Sequence, residues 1–86
     1  MTVKEAYRIA QKHNHKPGET LSRIAAFEEG YGFSFIHGDD PNEQYGGGWM
    51  VMVDKTTGKS HDSYPLTEER LKLHFIRQIP RSEVLE

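Results

Sequence analysis

Apolar positions along the chain fall into patterned stretches separated by Gly, Pro and acidic residues. In residues 2–15, Val3, Ala6, Tyr7 and Ala10 recur at i, i+3, i+4 and i+7. Ile9 edges that stripe, and Lys4, Arg8, Gln11 and Lys12 lie opposite. The period predicts an amphipathic helix. Thr2 and Glu5 form a capping box at its start, and Pro17-Gly18 stops it. Residues 20–27 fit a strand or a short helix by period alone. They run into Glu28-Glu29-Gly30 and then into Gly32-Phe33-Ser34-Phe35-Ile36-His37, whose aromatics alternate. Two extended segments around a short Gly-containing turn make a hairpin.

Residues 49–53, Trp-Met-Val-Met-Val, are apolar on both faces, which predicts an interior strand. One face requires the first helix, and the other requires the last segment or a second subunit. Asp54-Lys55-Thr56-Thr57-Gly58-Lys59 suits a turn closed by Gly at positive φ, so the chain returns as a short polar strand near 60–64. Beyond Pro65, Thr67 is an N-cap candidate with Glu68 and Glu69 in the first turn, and Leu71, Phe75 and Ile79 share one helical face. Alternation of Leu71, Leu73 and Phe75 with Lys72 and His74 is the competing strand pattern. The start signals select a helix over 67–79, ended by Pro80, with 81–86 as a tail. The expected fold is one α+β domain over residues 1–86. An N-terminal helix packs on an antiparallel four-stranded β-meander (20–64), followed by a C-terminal helix.

Size and charge narrow the function. A chain of 86 residues buries only about 60–65% of its unfolded surface, which leaves little for a deep pocket. Charged residues are 28% of the chain with both signs mixed, and the net charge is −2. Nothing attracts phosphate, so nucleic acid is not an expected partner. The absence of cysteine excludes disulfides and thiolate metal sites. No apolar run approaches a membrane span, and the first residues lack a signal segment, so the expected compartment is the cytoplasm.

Candidate chemistry is sparse. His13 and His15 lie two apart, off the helical ligand spacing, and His37, His61 and His74 fall in separate elements. No metal and no cofactor is expected. Residues 38–48 form a long polar loop whose acids do not follow the alternate spacing of a calcium loop. Gly46-Gly47-Gly48 precedes a strand where a phosphate cradle needs a helix. Ser60-His61-Asp62-Ser63 holds the residue types of a nucleophilic relay, but neighbours on a strand point to opposite faces. The reading is therefore non-catalytic, with a protein as partner. Glu28, Glu29, Asp39, Asp40 and Glu43 would supply an acidic rim. Tyr45 and Trp49 would supply aromatic anchors at the loop mouth, although core filling is the stronger expectation for Trp49. Asp54 and Gly58 are structural turn residues.

The order of these segments carries a resemblance. Glu5-Ala6-Tyr7-Arg8-Ile9-Ala10 leads to Tyr31-Gly32-Phe33-Ser34-Phe35, and then to Gly48-Trp49-Met50-Val51-Met52-Val53-Asp54-Lys55-Thr56-Thr57-Gly58-Lys59. Over residues 2–64 this resembles the bacterial YrhB-type family, also called immunity protein family thirty-five. PepSY domains share a similar Val-Asp-x-x-Thr-Gly hairpin and leading helix. Gly47-Gly48 stands where that family often has Pro, and the segment after residue 64 has no clear counterpart. The resemblance implies an immunity protein that occupies the surface of a bacterial toxin and performs no reaction. The alternative is a homodimeric structural or stress-related protein, suggested by the two-faced strand at 49–53.

Overall fold

Helix α1 (Val3–His13) starts at its cap, where the Glu5 N–H donates to Thr2 Oγ1 at 3.2 Å. The computed structural model describes residues 1–13, 19–37, 49–64 and 66–85. Ala6 and Ala10 are fully buried on the face of α1 that meets the sheet. Their small side chains let the helix axis approach closely, and the larger Tyr7 reaches Phe33 with ring centroids 5.7 Å apart. The chain is α+β.

Among the described residues the sheet is antiparallel and has five strands: β1 (Glu19–Phe27), β2 (Gly30–His37), β3 (Met50–Asp54), β4 (Ser60–Ser63) and β5 (Phe75–Ile79). Their order is β4-β3-β2-β1-β5. β3 is interior, and its alternation separates two cores. Val51 and Val53 join Ala6, Ala10, Leu21, Ile24, Ala26, Phe33 and Ile79 beneath α1. Met50 and Met52 point the other way and gather with Phe27, Ala25 and Leu73. The second face of the strand is thus covered by the chain's own last segment.

The four-stranded meander and the C-terminal helix over 67–79 are corrected. Thr67 does cap a helix, accepting from the Arg70 N–H, but α2 (Glu68–Lys72) lasts only five residues. Leu73 turns extended, at φ −72° and ψ 141°, and residues 75–79 become β5. The reason lies outside the segment. A helix continuing to 79 would leave the outer edge of β1 unpaired, whereas β5 pairs it from Ile24–Ile79 to Phe27–Phe75. Ile79 becomes buried and Leu73 fills the second core. The expected tail also changes, because Ser82–Leu85 forms α3, with Val84 packed on the core under α1.

β4 and β5 are opposite edges, so the chain between them, described over residues 66–74, crosses the whole sheet. This crossover passes over the face bearing Met50 and Met52. The Arg70 guanidinium holds its start, donating from Nε to Ser63 Oγ at 3.0 Å and from a terminal nitrogen to the Ser63 carbonyl at 2.8 Å. A His61–Glu69 pair lies beside it.

Candidate protein-binding surface

Glu28 and Glu29 occupy the turn joining β1 to β2, and the crossover returns to the sheet beside them. The Glu28 N–H donates to the His74 carbonyl at 2.9 Å. The His74 N–H donates to one Glu29 oxygen at 2.9 Å, and its ring Nδ1 bonds the other at 2.6 Å. Glu28 lies 3.7 Å from the same nitrogen. The His74 N–H and then its ring hold the Glu29 carboxyl at about 2, well below its ordinary 4.5. Reciprocally, the bond to Glu29, its charge and that of Glu28 raise the His74 pKa. The three side chains bring ligand-type atoms within 4.8 Å of one another. Both Glu29 oxygens are already engaged by His74, so the arrangement works as a latch on the end of the crossover.

A second polar cluster resembles a catalytic relay in composition. Ser60 Oγ lies 3.1 Å from His13 Nδ1, and His13 Nε2 lies 3.1 Å from Asp62 Oδ1. A carboxylate at Asp62 accepts from Nε2, and in the neutral ring Nδ1 then accepts from the Ser60 hydroxyl. The contacts are exposed. A depression lies between β1 and β5, lined by Ser22, Arg23, Gln78, Ile79, Pro80 and Arg81. The Ser60–His13–Asp62 contacts tie the last turn of α1 to β4. Sequence reasoning missed them because Ser60 and Asp62 find their histidine 47 and 49 positions away.

The expected site residues do not form one cluster. Glu28 and Glu29 sit where β1 ends and β2 begins. Trp49 precedes β3 at the opposite end, about 17 Å away along a five-residue strand. Its side chain is half-buried and packs on the core beneath α1. Asp39, Asp40, Glu43 and Tyr45 lie outside the described residues. Asp54 accepts from the N–H groups of Thr56 at 2.7 Å and Thr57 at 2.9 Å, which lowers its pKa, and Gly58 follows at φ +74°.

The crossover and β5 bring apolar groups into solvent, among them Leu71 and Phe75, which the sequence reading set on one helical face. Leu66 is 87% exposed, Leu71 71% and Phe75 62%, and Phe75 stands edge-on to Phe27 beside the His74 latch. Among the described residues no helix is long and apolar enough to cross a membrane. No family model, curated protein or solved structure matches the chain.

Proposed function

We propose that the chain is a non-catalytic binding protein of the immunity type, which covers a toxin's surface. The observation that carries the binding role is the exposed Leu66 and Leu71 on the crossover and the exposed Phe75 at the start of β5, the last following His74 and its carboxylate partners Glu28 and Glu29. Apolar anchors rimmed by charge suit association with another protein better than turnover of a small molecule. The acidic rim favours a basic partner face, and complementary charge speeds encounter. The toxin assignment draws support from the resemblance of residues 2–64 to YrhB-type proteins.

The test is co-expression with the product of the adjacent gene, followed by calorimetry on the purified pair. Binding is expected to weaken at least about tenfold in Leu71→Asp and in Glu28→Lys, with melting temperature little changed because both side chains are exposed. A neighbouring product that ignores the folded chain, or binds both variants as tightly as the parent, would overturn the proposal.

A further inference from the structure

β5 closes one side of the sheet, with β1 inside it and no described strand beyond. An outer edge offers backbone donors and acceptors that readily recruit another strand. Edges are commonly blunted by Lys, Pro or a charged sequence. β4, at the opposite edge, is the polar Ser-His-Asp-Ser. β5 is Phe-Ile-Arg-Gln-Ile, without Lys or Pro, and its Phe75 and Ile76 stand 62% and 54% exposed.

The two ends of this edge differ in charge. At the start, Glu28 and Glu29 flank His74, and Lys55 is bound to the Phe27 carbonyl at 2.7 Å. Past the end, Arg81 donates to the Leu21 carbonyl at 3.3 Å and shares a depression with Arg23. Arg77 between them lies 3.7 Å from Glu83, which offsets its charge. A second β5 laid antiparallel sets each acidic end against the other's basic end, while a parallel arrangement opposes like charges.

We infer that two copies of this chain pair antiparallel through the outer edges of β5, across a two-fold axis, extending the sheet from one molecule into the other. Such an interface is isologous, so each favourable charge contact occurs twice. The edge is short, and the pairing of β5 with β1 shifts at Ile76, so the contact belongs with small, weak interfaces of under about 1,200 Å².

Sedimentation of the full chain from about 10 μM to about 1 mM tests this, a range suited to a weak contact. Dimer is expected to grow with concentration, and Ile76→Lys to weaken it at least about tenfold. Glu28→Lys and Arg81→Glu should each weaken it, and the double variant should recover it, because the swapped charges again meet across the axis. Melting curves verify that each variant folds. If Ile76→Lys does not fold, the charge swap alone decides. A monomer throughout, a dimer indifferent to Ile76→Lys, or a double variant weaker than both singles would overturn the inference.

Discussion

Gly58 and Gly30 show how differently one residue type is constrained. Gly58 sits at φ +74°, where an added Cβ would meet Met1 and Ile9 only at 3.4 and 3.9 Å. Its requirement is conformational, and Ala there should cost about 1 kcal/mol. Gly30 faces a Cβ position 2.1 Å from the Val53 carbonyl oxygen, a backbone atom that cannot step aside without disturbing the β2–β3 ladder. Gly30→Ala should therefore cost more than Gly58→Ala, about 3 kcal/mol, read by denaturant unfolding. Equal midpoints for the two variants would refute that ranking. Gly58 was legible from its place after Asp54-Lys55-Thr56-Thr57, since local turn chemistry sets its φ. The demand at Gly30 was not, because the obstructing oxygen belongs to another strand.

At the scale of elements, the crossover is the part most dependent on single contacts. Its helix buries no residue of its own. Arg70 on Ser63 and Leu73 in the second core hold it down. Ser63 is fully buried, so Arg70→Ala leaves its hydroxyl without this partner, at a cost of about 1–3 kcal/mol. Hydrogen exchange should rise in residues 66–74 before it rises in β1–β3, because only the crossover is released. Uniform acceleration across the sheet would show instead that Arg70 stabilises the whole fold. The helix start was readable, since Thr67 and the acids after it act within one turn. The helix end was not. Leu73 leaves the helical conformation to fill a core built from Phe27, Met50 and Met52.

For the whole molecule, the His74–Glu29 latch ties the crossover's exit to the first hairpin and makes stability depend on pH. Glu29 is lowered from 4.5 to about 2, so its contribution is complete above 4.5 and is lost as pH falls toward 2. His74 is raised above 6.5, so its contribution is complete below 6.5 and is lost as pH rises through the raised value. Both act together between 4.5 and 6.5. Melting temperature should peak in that window, with a small amplitude that salt reduces because the pair is exposed. His74→Gln should flatten the alkaline limb while retaining the acid one. A variant with the parent's alkaline slope would remove His74 from the account.

By itself the sequence determined the α+β class, the capped first helix, the opening hairpin and the two-faced third strand. Those features are written in periods and turn residues that act over a few positions. Tertiary structure alone decided that residues 75–79 pair with β1, since the open edge of β1 and the space beside Ile24 outweigh a helix-starting signal several residues upstream. It likewise decided that Glu28 and Glu29 meet His74 while Trp49 faces the core at the far end. Such proximity depends on where a chain crosses its own sheet, and no local pattern encodes that crossing.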